Sequence, residues 1–147
     1  MSILQRAFRV LPAGLVSMFL GAGLAQAADL TVVVGGVTKA EGQVMVALFN
    51  DAAGFPRGKV LNGQMTPAKP GQVEVTFKDL APGTYAVSAY QDLNSNQRLD
   101  ANMVGMPTEP YGFSRDAKGQ FGPPKFGDAA IQVGSEAQRI QFKLSGQ

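Results

Sequence analysis

Residues Gln72–Gln91 read QVEVTFKDLAPGTYAVSAYQ, and their pattern decides the fold. Val73, Val75 and Phe77 alternate with Glu74, Thr76 and Lys78, a period of two that predicts a strand with one apolar and one wet face. Leu80-Ala81-Pro82-Gly83 then breaks the pattern as a tight turn. Proline presets φ at the first central position and glycine supplies φ > 0 at the second, which suits a type II turn. Thr84–Gln91 resumes as a strand, with Tyr85, Val87 and Ala89 sharing a face. Toward the N-terminus, Gly42–Asn50 is apolar on both faces and predicts a central strand. Asp29–Val37 is a β-branched first strand, and Lys59–Met65 a short edge strand. Gly54 and Pro56 mark a loop over Asp51–Gly58, anchored by the Phe55 ring. Toward the C-terminus, strand pattern returns at Ala129–Val133 and Gln138–Leu144, with a predicted hairpin through Gly134-Ser135-Glu136. The pattern as a whole predicts an all-β protein, an antiparallel β-sandwich of about seven strands in the immunoglobulin manner.

The first residues read differently. Arg6 and Arg9 precede an apolar stretch from Val10 to Leu24, and Ala25-Gln26-Ala27 is a small-x-small cleavage site. Residues 1–27 are therefore expected to be a signal peptide and residues 28–147 a single exported domain, periplasmic or extracellular, with no transmembrane span after cleavage. Removing Arg6 and Arg9 from the 13 basic residues matches the remainder to the 11 acids, for zero formal net charge. Nothing electrostatic then calls for nucleic acid as a partner. The chain has no His and no Cys. This removes the commonest general base, the triad imidazole, the thiolate nucleophile and the usual transition-metal ligands. A lipid-modified N-terminal cysteine is excluded as well. The expectation is a protein that is not an enzyme.

The strand Thr84–Gln91 runs directly into the densest group of oxygen-bearing side chains, Asp92, Asn94, Asn96 and Asp100. Oxygens at alternate residues are what a chain curling around Ca²⁺ presents, since a hard cation takes carboxylate and carbonyl ligands. In the twelve-residue calcium-loop pattern the seventh position, Arg98, offers its backbone carbonyl and the ninth, Asp100, binds directly or through water. Two positions depart from that pattern. Gln97 stands where glycine is preferred for a sharp turn, at about 1 kcal/mol if φ > 0 is required. Met103 stands where a bidentate Glu belongs; Glu109 lies beyond the loop as a substitute. A site built this way has an affinity of order 10⁻⁴–10⁻³ M. The alternative is a strand-end loop whose Asp and Asn side chains bond their own backbone as Asx-turns. A further alternative, Asp92 and Asp100 as a general acid/base pair, lacks a nucleophile or a base partner.

Periodicity stops between Asp92 and Gly127, where five Gly and four Pro surround Tyr111, Phe113, Phe121 and Phe126. A loop this long is functional or disordered, and its aromatics argue against disorder. The rings either cap an open end of the sandwich or form a binding surface. In the second case Tyr111, Phe113 and Phe121 are stacking platforms with Arg115 and Lys118 at the rim.

The run LAPGTYAVSAYQDLNSNQRLDANMVGMPTEPYGFS, followed by FGPPKFGDAAIQV, resembles the bacterial family called domain of unknown function 2141 from about Leu30 to Val133. Its pattern is a Pro-Gly-x-Tyr turn, a strand ending in His-Asp, Asn-x-Asn-Gly-x-Leu-Asp, Gly-x-Pro-x-Glu, Tyr-Gly-Phe-Ser and Phe-Gly-x-Pro. Gln91 stands in place of the His and Gln97 in place of the Gly. The resemblance implies a sandwich similar to prealbumin-like and collagen-adhesin-B-like domains, some of which carry calcium loops, and it supplies no activity. Hydrolases of the transthyretin-like type rely on His, which this chain lacks. The expectation is an exported, non-enzymatic module of the cell envelope, with Ca²⁺ as candidate cofactor and an envelope protein or glycan as candidate partner. The alternative is a small-molecule, glycan or lipid carrier that uses Tyr111–Phe126.

Overall fold

The computed structural model describes residues 26–146, so the predicted signal segment lies outside the described residues except for Gln26 and Ala27. The alternating segments become strands: β1 (Ala28–Val37), β2 (Gln43–Phe49), β3 (Asn62–Pro67), β4 (Gly71–Leu80) and β5 (Gly83–Asp92). Three further strands complete the set: β6 (Tyr111–Phe113), β7 (Ile131–Val133) and β8 (Gln138–Lys143). A 3₁₀ turn at Ser114–Asp116 and a four-residue helix, α1 (Phe126–Ala129), interrupt them. None of the helices among the described residues is long and apolar enough to cross a membrane.

The strands form a sandwich. One sheet has the order β4-β1-β8 and the other β3-β2-β5-β6, with β7 paired to the start of β5. Alternation decides which side chains meet between them. Leu30, Val32 and Val34 of β1 and Phe77 of β4 face Val44, Val46 and Leu48 of β2 and Val87 of β5, all in one buried cluster. Burying each such side chain contributes about 1.5–3 kcal/mol. β2 lies between β3 and β5, as a strand apolar on both faces should.

Three local expectations are corrected. The turn after β4 is not type II. Gly83 has no positive φ; the left-handed residue is Asp79 (φ 56°), whose N–H donates to Asp29 Oδ1 at 3.1 Å across to β1. The short link carries the chain from one sheet to the other, and the Tyr85 hydroxyl locks it by donating to the Ala81 carbonyl (2.7 Å). Second, β7 and β8 are not a hairpin: β7 pairs with β5, whereas β8 crosses over to β1. Third, the β1–β8 pair is parallel, so the sheets are not purely antiparallel. A parallel pair needs a long crossover, and here the intervening chain is nearly the whole domain.

Candidate functional site

β5 ends in two buried polar residues, Gln91 and Asp92, and the loop that leaves it is organised by Asp92 and Glu109. Both carboxylates are buried, at 0% and 4% exposure, and a buried charge is tolerated only when hydrogen-bonded. The loop's own backbone satisfies them. Asn96 N–H donates to Asp92 Oδ1 (3.0 Å) and Gln97 N–H to Oδ2 (2.8 Å). Leu93 N–H donates to Glu109 Oε1 and Asp100 N–H to Oε2, each at 2.9 Å. Two acids thus close the loop from below with four bonds. Aligning those amides requires left-handed backbone at Ser95 (φ 59°) and Gln97 (φ 62°). The sixth loop position therefore does adopt φ > 0, and Gln97 carries the strain of about 1 kcal/mol that glycine would avoid. Gly42, also left-handed (φ 64°), lets the chain pass over this site, because a Cβ there would overlap the Asp92 carbonyl.

An exposed layer lies above. Asn94 Nδ2 donates to Asp100 Oδ2 (2.7 Å), and Asn96 Nδ2 donates to Asp100 Oδ1 (2.9 Å) and Oδ2 (3.1 Å). These amide bonds, Asn96 first and Asn94 second, hold the Asp100 carboxyl below its ordinary range, with help from the Arg98 charge. The Arg98 N–H donates to Asn96 Oδ1 (2.9 Å). Of the predicted metal residues, Asn94, Asn96 and Asp100 converge, Asp92 lies buried beneath them, and Arg98 joins through its N–H. Among the described residues no three His, Cys, Asp or Glu side chains are grouped so as to hold a metal ion. Burial raises the pKa of the Tyr90 hydroxyl, and the nearby Asp92, Glu109 and Asp100 charges raise it further.

The same loop continues as an arm. Asp100 C=O accepts Thr108 N–H (2.8 Å), Ala101 bridges to Pro107, and Asn102 Oδ1 accepts the N–H groups of Val104 (3.1 Å) and Met106 (3.0 Å). The arm forms one wall of a groove of about 1000 Å³ over the outer face of β5 and β6. Ser88, Tyr90, Tyr111 and Phe113 floor it; Leu99, Val104 and Met106 line the arm side, and Phe121 and Pro123 the other.

The predicted platforms divide. Phe121 is wholly exposed, Tyr111 is half-buried, and Phe113 is buried in a satellite core with Ala86 and Ala129. Phe55 joins that core edge-on to Phe49, Phe113 and Phe126, at ring-centroid distances of 5.3, 5.7 and 5.9 Å. Phe113 and Phe126 therefore form the cap, and Phe121 stands outside it. Lys118 lines the groove; Arg115 does not. Arg57, whose local pattern reads simply as a solvated charge, lines the groove from the Phe55 loop. Ser114 pins the cap by accepting Val87 N–H (3.0 Å) and donating to the Ala129 carbonyl. Gln91 donates through Nε2 to the Lys39 and Glu41 carbonyls (3.0 and 2.9 Å), while its buried Oε1 has no partner.

No curated protein and no solved structure matches the chain. A family model does match, over residues 32–141, most of the described chain. The chain belongs to the family described as "Uncharacterized protein conserved in bacteria (DUF2141)".

Proposed function

We propose that the protein is an exported, non-catalytic binding module that holds a small, largely apolar molecule in the groove between the arm and the Phe121 segment. One observation carries this reading. The groove, about 1000 Å³, has large apolar side chains exposed on both walls, with Met106 at 59% and Phe121 at 104%. Exposed apolar side chains lining a concave groove are the usual mark of a binding site. Export rests on the Arg6–Ala27 pattern, and the absence of catalysis on the chain's lack of His and Cys. The test is titration with Nile red, a neutral apolar dye. Blue-shifted saturable fluorescence is expected. Affinity should fall about tenfold in Met106→Ala/Phe121→Ala, because two large apolar side chains then no longer cover the dye. A non-saturating signal unchanged by the two substitutions refutes the reading.

A second reading, weak Ca²⁺ binding on the exposed side of the loop, is favoured by the convergence of Asn94 and Asn96 on Asp100. Both amides turn nitrogen toward Asp100, so a hard cation would have to rotate each of them and break the Asn96 N–H and Arg98 N–H bonds that their oxygens accept. With one exposed carboxylate, the affinity is of order 10⁻³ M. The Asn94 and Asn96 side-chain NH₂ resonances then move together as Ca²⁺ rises to about 10 mM. Resonances that stay in place at that concentration rule the site out.

A further inference from the structure

The groove is electrically lopsided. At the arm end Tyr90 lines the groove, with the Asp92, Glu109 and Asp100 carboxylates outside its lining. The opposite end lies past Phe113, where the chain passes through Ser114–Asp116 to Lys118. Two cations, Arg57 and Lys118, are among the lining residues, with one acid, Asp116; Lys143 meets the groove through its backbone beside Gly112 and runs its side chain past Gly35 of β1. Asp116 orients its carboxylate by accepting Lys143 N–H on Oδ1 at 2.9 Å, which leaves its charge in place. The ion pairs among the described residues are Lys78–Asp29 and Arg139–Glu74, so Arg57 and Lys118 have no carboxylate partner there. The same groove is lined by the apolar side chains of Tyr111, Met106 and Phe121.

We infer that the molecule bound in this groove is a single-chain amphiphile with an anionic head, the head at the Arg57–Lys118 end and the apolar tail along the arm. This rests on the groove being the binding site. The arm end brings no cation to the groove lining, so an anionic head there would find no counter-charge. Phe121 and Met106 supply contact surface for a tail and offer no polar group to a second head.

The experiment compares dodecanoate, dodecanol and dodecyltrimethylammonium as monomers, each displacing Nile red from the full chain at low ionic strength. Dodecanoate is expected to bind about tenfold more tightly than dodecanol, and the ammonium ligand more weakly than either. Arg57→Gln/Lys118→Gln is expected to bring dodecanoate to the affinity of dodecanol while leaving dodecanol unchanged. Both residues are exposed, and an unaltered melting curve for the variant checks that the fold is kept. Equal affinity for dodecanoate and dodecanol overturns the anionic head and leaves the groove reading standing. Binding of none of the three overturns the groove reading and this inference with it. Binding to phosphatidylglycerol vesicles without binding to monomeric dodecanoate overturns the single-chain ligand in favour of a membrane surface.

Discussion

Replacing Glu109 with Gln tests whether two buried acids, and not sheet pairing, hold the long loop. Glu109 accepts Leu93 N–H and Asp100 N–H at 2.9 Å each, and so fastens the loop's beginning and its far side to one side chain. Gln preserves shape but keeps one carbonyl oxygen. Its NH₂ group must face the other backbone N–H. One charge-assisted bond, worth about 1.5–3 kcal/mol, is lost and the survivor becomes a neutral bond worth about 1 kcal/mol. The expected destabilisation is about 3 kcal/mol, the usual scale for breaking a buried charged contact. For a domain of this size that corresponds to a fall in Tm of about 10 °C.

The loss reaches the sheet because Glu109 adjoins Pro110, whose carbonyl accepts Gln91 N–H at 2.8 Å, and Tyr111, which begins β6, lies one residue further on. Melting by circular dichroism gives the global effect. Amide hydrogen exchange separates it from local opening, since the Leu93 and Asp100 amides must lose protection first. A Glu109→Gln variant with Tm unchanged to within about 2 °C and both amides still protected would refute the clamp. Loss of protection with unchanged Tm would mean that the loop opens independently of the sandwich.

Asp100 sets a pH dependence. Its folded pKa is depressed below 3.8 by the Asn96 and Asn94 amides, so its contribution is complete above that value and is lost as pH falls through the folded one. The Asn94 and Asn96 side-chain NH₂ resonances should titrate together with a midpoint below 3.8, and Asp100→Asn should abolish the transition. Ser114→Ala removes the acceptor for Val87 N–H and the donor to the Ala129 carbonyl; leaving buried backbone groups unpaired should cost about 2–3 kcal/mol in urea unfolding. Gly42→Ala places a methyl on the Asp92 carbonyl at φ 64°, and the variant should lose at least about 2 kcal/mol, whereas Gly134→Ala, with open space around it, should unfold within about 0.5 kcal/mol of the parent.

Local pattern carried much of the fold. β2, β4 and β5 arise from alternation that depends on a strand's own residues, and their predicted limits lie within a residue or two of the observed ones. The failures are long-range. Ile140, Phe142 and Leu144 identify a strand but carry no mark of its neighbour, so the parallel pairing of β8 with β1 had no local signature. β6 is three residues set among Gly and Pro, too short for a period to register. Asp79 took the left-handed position because Asp29, fifty residues away in sequence, accepts its N–H; turn statistics for Pro82-Gly83 do not include that bond. In the loop, Asn94, Asn96 and Asp100 meet through side-chain hydrogen bonds, whereas Asp92, which the same spacing placed with them, turns inward to the loop's backbone. The spacing did not tell which atom of each amide would face Asp100, because that is settled by backbone N–H groups elsewhere in the loop.

The loop's hydrogen bonding also constrains what the groove can recognise. Asp100 N–H and C=O, Thr108 N–H and the Asn102 carboxamide oxygen are all engaged within the arm itself. Through those bonds Leu99, Val104 and Met106 are held along one wall before any ligand arrives. A wall left free would have to be ordered on binding, at about 0.5–1.5 kcal/mol for each immobilised side chain. Since these polar groups face inward to the arm, the wall offers a ligand apolar contact. On the reading proposed above, polar discrimination comes from the far end, where Arg57 and Lys118 have no carboxylate partner among the described residues. The buried acids and the groove are therefore one construction, and weakening Glu109 should loosen apolar binding even though Glu109 does not line the groove.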